Sequence, residues 1–370
     1  MKGFEGLRVA LVGPMPPPSG GMANQTRQLS ELLAGEGAQV ELVQTNAAYR
    51  PAWAARVPGL RALFRLVPYL LALWRAAGRN DVMHLMANSG WSWHLFAAPA
   101  IWLARLRGLP VLVNYRGGEA GGFLQRSGRL VRFSMRRAHA LLVPSGFLEA
   151  VFDGHAMKAV VLPNIVDLQR FRPAETIPGA THLLVARNLE PLYDNGSAIR
   201  ALALVRERFP EVRLTIAGTG PAQADLQALA AALGQGDAVH FAGRVERDAM
   251  AALYRSATIS INPSLADNMP NSVLESLASG VPVVSTNVGG VPYLVQHERT
   301  ALLVPPKDER VLAAALLRLL DDAGLCERLR EAGLAEVQRY TWSRIGPQLA
   351  SLYRGCISGV SSADRLAPHR

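Results

Sequence analysis

The chain has 370 residues, of which 49% are hydrophobic and 18% are charged. This length exceeds what one hydrophobic core usually organises, and the composition excludes an intrinsically disordered chain, so we expect two α/β domains. Its two cysteines, Cys326 and Cys356, are too few for a disulfide framework and are typical of a reducing, cytoplasmic compartment.

The net charge of +10 is distributed unevenly. Residues 1–170 carry 19 Lys and Arg against 9 Asp and Glu, whereas residues 171–370 carry 20 of each. An arginine-rich coding bias would spread evenly, so the asymmetry favours an anionic partner for the N-terminal half. Basic and aromatic residues are not interleaved as in RNA-binding proteins, so we expect no nucleic-acid partner. We also expect no signal peptide and no membrane-spanning helix, because the apolar runs are short or interrupted.

The first half of the chain alternates short apolar runs with segments of helical periodicity. Buried strands are predicted at residues 7–12, 40–43, 81–86, 110–114 and 140–143. A loop rich in Pro and Gly at 14–21 leads from the first strand into a helix predicted at 23–34. This order of strand, loop, helix and strand opens a doubly wound parallel sheet.

The alternation begins again in the second half. Strands are predicted at residues 182–186, 213–217, 239–242, 258–261 and 282–285. Residues 311–339 are predicted to be helical, and an amphipathic segment follows at 342–356. We therefore predict an α/β protein with two Rossmann-like, doubly wound domains at residues 1–172 and 173–345. A C-terminal helix and tail complete the chain at 346–370, and one arrangement is their return to the first domain.

The most informative stretch is 264–284, where a polar loop precedes a helix predicted to begin near Ser272. A helix N-terminus offers N–H groups and the positive end of a dipole, so this junction suits a diphosphate held without a metal. Asp267 and Glu275 are its two carboxylates, and each can accept hydrogen bonds from sugar or ribose hydroxyls. A structural alternative exists for Glu275, because Ser272-x-x-Glu275 is a capping-box pattern.

This segment resembles the donor-site signature of the retaining glycosyltransferases of family four, which have the GT-B fold. Their pattern is an acidic residue, seven residues, a glutamate and then Ala/Ser-x-x-Gly-x-Pro-Val-Val. Asp267 and Glu275 have this spacing, with aspartate in place of the more usual glutamate. Other elements follow in the family's order across residues 7–350: Gly20-Gly21-Met22, Pro163-Asn-Ile-Val-Asp167 with Phe171, Ala217-Gly-Thr-Gly-Pro221 and Phe241-Ala-Gly243.

The resemblance implies two domains that face each other across a cleft, the first binding the acceptor and the second the donor. Glu275 would hold the donor's ribose, Asp267 would contact the transferred sugar, and backbone amides of residues 268–272 would hold the sugar and the diphosphate. Gly20 and Gly21 would let the chain approach a phosphate or the acceptor closely. The implied donor-binding set is Gly20, Gly21, Arg187, Tyr193, Gly218, Asn268, Met269, Pro270, Asn271, Ser272 and Glu275.

The sequence departs from the family pattern at the diphosphate site. Arg187 occupies the position of the family's arginine, but the region of its downstream lysine reads Tyr193-Asp194-Asn195. Arg116 stands where the family has a histidine after the Pro-Val strand, and we hypothesise that it supplies the missing cation. Ile165 replaces a glycine, which we expect to matter little. The predicted catalytic residues are therefore Asp267, Glu275, Arg187 and Arg116.

On the acceptor side we predict contacts from His84, Asn88 and Arg116, with a satisfied core histidine as the alternative for His84. Six arginines and no acidic residue occur between residues 50 and 79. A second basic set recurs at helical spacing: Arg126, Arg129, Arg132, Arg136 and Arg137. Arginine-rich apolar helices bind anionic membrane surfaces, and the alternative is a solvated basic face over a packed helix. Because several members of the family use lipid-linked acceptors, we predict a cytoplasmic protein that associates with the inner face of the membrane.

These observations predict a retaining transferase that moves a sugar from a nucleoside-diphosphate sugar to a bacterial surface glycan or a lipid-linked acceptor. No Asp-x-Asp pair follows a strand and no His/Cys cluster occurs, so we expect no metal and no cofactor besides the nucleotide-sugar co-substrate. The Gly-x-Gly-x-x-Gly spacing of a dinucleotide enzyme is absent. Two alternatives stay open. One is another GT-B enzyme, such as a nucleotide-sugar epimerase or a sugar-phosphate synthase, and the other is a catalytically weak donor-binding partner of another transferase.

Overall fold

The structure is a computed structural model that describes residues 3–17, 20–49, 60–175 and 181–359, without the side chains of 60–63. The chain divides into two compact units. The first comprises Met1–Asn164 with Trp342–Arg370, and the second comprises Ile165–Thr341. The boundaries predicted at residues 172 and 345 lie close to these divisions but not on them.

The first unit is built on a parallel six-stranded sheet with the order β2-β1-β3-β4-β5-β6. Its strands are β1 (Arg8–Gly13), β2 (Gln39–Gln44), β3 (Val82–Ala87), β4 (Val111–Tyr115), β5 (Ala140–Val143) and β6 (Val160–Val161). Every residue of β3, β4 and β5 is buried, because helices cover both faces of a parallel sheet, and this explains the apolar runs in the sequence. The two-residue strand β6 was not predicted, since it is too short to leave a pattern.

The α-helices in the described part of the first unit are α1 (Gly21–Gly35), α2 (Leu60–Ala77), α3 (Ala98–Leu106), α4 (Ala120–Met135), α5 (Gly146–Asp153) and α12 (Trp342–Ile357). Helix α3 packs against both α2 and α4, and α4 packs against α5. From β2 to β6 the chain moves across the sheet in one direction, passing over β1, which lies between β2 and β3. Right-handed crossovers therefore place α2–α5 in a row on one face of the sheet. The C-terminal helix α12 packs against β3 and β4 and thus belongs to the first unit.

The second unit has a parallel sheet with the order β12-β11-β10-β7-β8-β9. Its strands are β7 (His182–Val185), β8 (Arg213–Ala217), β9 (Val239–Gly243), β10 (Ile259–Asn262), β11 (Val283–Thr286) and β12 (Leu302–Val304). Its helices are α6 (Asn195–Arg206), α7 (Gln223–Ala232), α8 (Arg247–Ser256), α9 (Asn271–Ala278), α10 (Glu309–Asp321) and α11 (Ala323–Val337).

The helical segment predicted at 311–339 consists of two helices, α10 and α11, which are separated at Asp322. Asp322 leaves the helical backbone conformation between them, with φ −116° and ψ 88°. Its carboxylate then caps α11 by accepting a hydrogen bond from the Leu325 N–H at 2.8 Å. An aspartate that satisfies an otherwise unpaired helix donor is a strong local start signal, and here it prevails over the continuous apolar periodicity.

Each sheet reverses its strand order at one point, between β1 and β3 in the first unit and between β10 and β7 in the second. In open α/β sheets, ligands bind outside the carboxyl ends of the strands at such a switch point. Among the described helices, none is long and apolar enough to cross a bilayer.

Candidate functional site

In the second unit, two polar segments meet at the switch point. Arg187 lies just after β7, and Asp267 lies in the loop that joins β10 to α9. The guanidinium of Arg187 forms an ion pair with the carboxylate of Asp267, and its Nε donates to the Asn262 side-chain oxygen at 2.8 Å. The side chains of Arg187 and Asp267 are only 12% and 13% exposed, so water and salt screen this pair little.

Further contacts hold the two partners in place. The Asn268 N–H donates to the Asp267 carboxylate at 3.0 Å, and the Gly290 N–H donates to the Asp267 carbonyl oxygen at 2.8 Å. On the other side, the guanidinium of Arg187 lies over the ring of Tyr193, 4.8 Å from its centroid. The structure therefore brings together Arg187, Asp267 and Tyr193 of the predicted site in one preorganised cluster.

Helix α9 begins at Asn271, one residue before the predicted start, and Pro270 precedes it without a side-chain cap. The capping-box interpretation of Glu275 is therefore wrong, because Ser272 lies inside the helix. Ser272 is only 8% exposed, and its Oγ has no hydrogen-bond partner among the described residues. A buried hydroxyl without a partner in the first turn of a helix is a polar group available to a ligand.

The backbone of residues 268–272 needs one correction. Proline has no N–H group, so Pro270 cannot donate to a diphosphate as the predicted set of amides supposed. Met269 is 7% exposed and packs in the apolar core beside α9, so any contact it makes with a ligand comes from its backbone. Asn268 is similarly buried, with 6% of its surface exposed.

Glu275 lies on the next turn of α9 and is held by a neighbour that sequence reasoning missed. The hydroxyl of the fully buried Tyr254 donates to the Glu275 carboxylate at 3.1 Å and lies 3.3 Å from the Ser272 carbonyl oxygen. Burial raises the pKa of Glu275 to about 7, although the Tyr254 hydroxyl and the charges of Arg247 and Arg187 act in the opposite direction. The carboxyl group therefore changes its charge near neutral pH.

The glycines of the 217–221 loop have a steric explanation. A Cβ on Gly218 would lie 2.1 Å from the Arg187 carbonyl oxygen, and one on Gly220 would lie 2.3 Å from the Leu189 carbonyl oxygen. The Leu189 N–H donates to the Thr219 carbonyl at 3.1 Å across this close approach. Gly218 thus supports the backbone that carries Arg187.

In the segment that replaces the family's lysine, Asp194 and Asn195 stabilise the local structure. Asp194 adopts a left-handed conformation, with φ 42°, and its carboxylate accepts from the Ser197 hydroxyl at 2.7 Å. Asn195 is 2% exposed and donates to the Asn188 carbonyl oxygen at 3.0 Å. These residues bring no positive charge to the cluster.

In the first unit, Gly20 and Gly21 lie at the start of α1. Gly20 has an extended backbone, with φ −167°, and a Cβ on either residue would meet no atom within 4 Å. The packing of the chain therefore does not require glycine at either position. The close approach of a ligand stays a prediction.

His84 does not face an acceptor, so that prediction is corrected. It lies in β3, is fully buried, and both ring nitrogens have partners: the Tyr353 hydroxyl at 2.9 Å from Nδ1 and the Asn114 amide at 3.0 Å from Nε2. Burial, with the nearby charge of Arg116, lowers the pKa of His84 to about 3. The satisfied core histidine is the correct alternative.

A chain of hydrogen bonds runs from His84 to Arg116. The Arg116 Nε donates to the Asn114 side-chain oxygen at 2.7 Å, which leaves the Asn114 amide nitrogen to donate to His84. His84 then carries its proton on Nδ1 and donates to Tyr353 of α12. At its other end, the Arg116 guanidinium donates to the side-chain oxygen of Asn164. The sequence analysis did not identify three members of this chain of hydrogen bonds: Asn114, Asn164 and Tyr353. For Asn114, an asparagine inside an apolar strand is a usable signal.

Arg116 is a partly buried cation at the end of β4. Within the described residues its guanidinium forms no ion pair, and burial lowers its pKa to about 10. Its backbone N–H donates to the Ala87 carbonyl at 2.9 Å, so it lies beside the end of β3. Asn88 is next to this point, since a Cβ on Gly117 would lie 2.9 Å from its side-chain oxygen. Asn88 and Arg116 are therefore neighbours at the carboxyl edge of the first sheet.

No group of three or more His, Cys, Asp or Glu side chains in the described part of the chain is arranged to hold a metal ion.

Two family models match the chain, one in each half. The glycosyl transferase 4-like domain matches residues 20–164, and the model described as glycosyl transferases group 1 matches residues 181–322. A D-inositol 3-phosphate glycosyltransferase from Acidothermus cellulolyticus is 34% identical over 229 residues, which are 56% of this chain and 50% of the relative. A glycogen synthase from Mycobacterium tuberculosis is 26% identical over 392 residues, which are 94% of each chain. The chain spans about half the length of the first of the curated relatives that it matches.

Solved structures share the fold at low sequence identity. Sucrose-phosphate synthase from Thermosynechococcus elongatus superposes with a TM-score of 0.77 and 21% identity, over 95% of this chain and 100% of that one. HepE from Anabaena, solved in complex with UDP, has a TM-score of 0.74 and 16% identity, over 94% and 100% of the two chains. These similarities confirm the predicted α/β fold of the GT-B type with two Rossmann-like units. The chain belongs to the group 1 glycosyltransferases, the family that its sequence resembles.

Proposed function

We propose that the chain transfers a sugar from a nucleoside-diphosphate sugar to an acceptor, with retention of anomeric configuration. One observation carries this proposal: Arg187, Asp267, Glu275 and the first turn of α9 converge at the switch point of the second sheet. A cation, two carboxylates and a helix N-terminus match the diphosphate and the hydroxyls of such a donor. The solved complex of HepE with UDP supports the choice of nucleotide class.

The roles divide by chemistry. The first turn of α9, with the Ser272 hydroxyl, holds the diphosphate, and the ionised Glu275 accepts hydrogen bonds from the ribose. Asp267 accepts from hydroxyls of the transferred sugar while it keeps Arg187 in place. Arg187 and the helix dipole stabilise the negative charge that develops on the leaving diphosphate, which is the largest contribution to catalysis expected here. This arrangement needs no metal ion, and retention rests on the family resemblance alone.

For the acceptor we propose a growing bacterial surface glycan or its lipid-linked precursor, used on the cytoplasmic face of the cell membrane. The uncompensated charge of Arg116 beside Asn88 supports an acceptor that carries an anionic group, such as a phosphate near its reacting end. That Arg116 provides the cation absent from the segment at Tyr193–Asn195 stays a prediction.

The proposal is tested by ligand binding followed by product analysis. A screen of UDP-, GDP-, ADP- and dTDP-sugars should raise the melting temperature for one nucleotide, since a ligand of the folded state stabilises it by mass action. With that donor, slow release of free sugar and nucleoside diphosphate in water should disappear in Glu275→Ala. An isomerised donor would identify an epimerase, and a sugar phosphate as acceptor would identify a synthase. Donor binding without any turnover would favour a partner of another transferase and contradict the proposal.

A further inference from the structure

The row of helices α2, α3 and α4 exposes an unusual number of large apolar side chains. Seven of the thirteen such residues that are exposed in the described part of the chain lie on it: Val67, Leu71, Trp74, Trp102, Leu106, Leu130 and Phe133. On α2 the spacing is that of a single helix face, opposite the buried Tyr69 and Leu73. Since each helix packs on the next, the apolar side chains belong to one continuous surface, which we call the outer face.

The outer face is also strongly and exclusively basic. Residues 60–77, 98–107 and 120–137 contain ten arginines and no aspartate or glutamate. Among those whose side chains are described, none forms an ion pair with a described residue. Two of the arginines instead stack on aromatic rings of the surface. Arg137 lies 3.8 Å from the centroid of the Trp102 ring and 4.1 Å from that of Phe133, and Arg107 lies 4.6 Å from that of Trp74.

The second unit differs from the outer face. Some of its exposed arginines pair with acids, as in Arg208 with Asp321 and Arg318 with Glu298. Trp, Phe and Arg are also enriched at protein–protein interfaces, but the three helices of the outer face carry ten arginines and no acidic residue, which matches an anionic lipid surface. Guanidinium groups above apolar and aromatic side chains match the boundary between anionic headgroups and acyl chains.

We propose that the outer face of α2, α3 and α4 docks on an anionic lipid bilayer. Exposed Trp and Leu side chains insert at the boundary between headgroups and acyl chains, and the unpaired arginines bind lipid phosphates. The proposed function places the chain at the membrane, and the outer face is the surface that would bind there. The biological role of this binding rests on the proposed function. Binding to lipid is measured separately from sugar transfer.

The experiment is vesicle sedimentation of the full chain. It should pellet with vesicles containing phosphatidylglycerol at low salt, with binding that weakens at high salt, and should stay in the supernatant with phosphatidylcholine alone. The variant Arg126→Gln/Arg129→Gln/Arg136→Gln should bind about 100-fold more weakly, if each charge contributes about fivefold. The variant Trp74→Ser/Leu106→Ser/Phe133→Ser should lose the binding that persists at high salt. All six positions are exposed, so folding should be preserved, and circular dichroism checks it.

Matched changes outside the outer face serve as controls. Arg200→Gln/Arg310→Gln/Arg328→Gln removes the same charge from exposed positions of the second unit, and Leu233→Ser/Val311→Ser removes exposed apolar side chains there. Both should bind vesicles like the unchanged chain. Equal recovery with neutral and anionic vesicles, or equal losses in control and outer-face variants, would overturn the proposal. So would a dimer in sedimentation velocity that the apolar triple variant abolishes, because a second copy would then cover the outer face. Donor hydrolysis is followed in parallel, so failure of lipid binding and failure of the proposed chemistry are distinguished.

Discussion

Arg187 and Arg116 occupy equivalent places in the two units, each just beyond the carboxyl end of a buried parallel strand, and yet their surroundings are opposite. Arg187 forms an ion pair with Asp267 and lies near a second carboxylate, that of Glu275. Within the described residues, the side chain of Arg116 donates to the neutral amides of Asn114 and Asn164 and forms no ion pair. One cation is therefore neutralised within its unit, and the other is not.

The difference separates two uses of a buried charge. A neutralised guanidinium is well positioned, but an incoming diphosphate must compete with Asp267 for it. An unneutralised guanidinium costs stability through desolvation, which lowers its pKa, and it gains most when an anionic ligand arrives. The comparison favours our proposals that Arg187 is an organised part of the donor site and that Arg116 binds an anionic group.

The largest effect should follow from breaking the neutralised pair. Arg187→Met leaves the Asp267 carboxylate buried without its counter-charge, so the free energy of unfolding should fall by about 3 kcal/mol. The double variant Arg187→Met/Asp267→Leu should recover much of this loss, because it leaves no isolated charge. Denaturant unfolding of the single and double variants measures it. A double variant less stable than Arg187→Met would contradict the view that the two charges are coupled.

The second carboxylate near Arg187 should give a pH-dependent stability. Glu275 has a usual pKa near 4.5 and a pKa of about 7 in the folded chain. Between these values the folded state binds more protons than the unfolded state, so the unfolding free energy falls as pH rises through this window, and the reduction is complete above it. Glu275→Gln removes the penalty and keeps an acceptor for Tyr254.

The stability of Glu275→Gln relative to the unchanged chain should therefore rise by about 2 kcal/mol between about pH 5 and about pH 8. Nucleotide binding should have the opposite preference, since the ionised carboxylate accepts the ribose hydroxyls, and should be tighter at the higher pH in the unchanged chain only. Glu331→Gln, at an exposed position of α11, is the control that should show neither effect. A stability difference between Glu275→Gln and the unchanged chain that does not vary with pH would contradict the raised pKa of Glu275.

Removing the unneutralised cation should cost little. Arg116→Gln gives up a charge whose burial is unfavourable and keeps an amide donor, so the free energy of unfolding should change by about 1 kcal/mol or less. Inorganic phosphate or pyrophosphate should stabilise the unchanged chain more than this variant in a thermal melt. A loss of stability as large as that of Arg187→Met, with the same response to phosphate, would show that Arg116 is structural.

The smallest effect tests how Arg116 is held. Tyr353→Phe removes the hydroxyl that pairs with His84 Nδ1 and so weakens the chain of hydrogen bonds through Asn114. We expect a loss of about 1 kcal/mol in unfolding free energy and a weaker stabilisation by phosphate. Tyr340→Phe also removes a buried tyrosine hydroxyl, but in the second unit, and should leave the phosphate response unchanged. The same response in both variants would mean that α12 does not position Arg116.

The arrangement of strands was largely readable from the sequence, because parallel strands covered on both faces leave continuous apolar runs. The acidic pair of the α9 segment was also identified, and the structure places Asp267 beside Arg187 as an ion pair. The predictions that were wrong concerned either a local helix start or contacts between residues distant in sequence. Ser272 and Glu275 fit a capping box by spacing, but the N-cap of α9 is Pro270, two residues before the position that this pattern needs.

The role of His84 was beyond sequence reasoning for a different reason. Its partner Tyr353 lies 269 residues further along the chain, on a helix that packs back on the first sheet. Tyr254 of α8 likewise contacts Glu275 of α9, which lies 21 residues further along the chain. Composition and periodicity report which residues are buried, but they do not report which polar groups meet inside the core.

The most direct test of the central claim is calorimetric titration of the full chain with UDP, GDP, ADP and dTDP in the presence of EDTA. We predict that one nucleoside diphosphate binds the unchanged chain at one site without metal, and that Glu275→Ala weakens this binding by about tenfold or more while Glu331→Ala does not. Binding that requires a divalent metal, or equal affinity in the unchanged chain and Glu275→Ala, would contradict it.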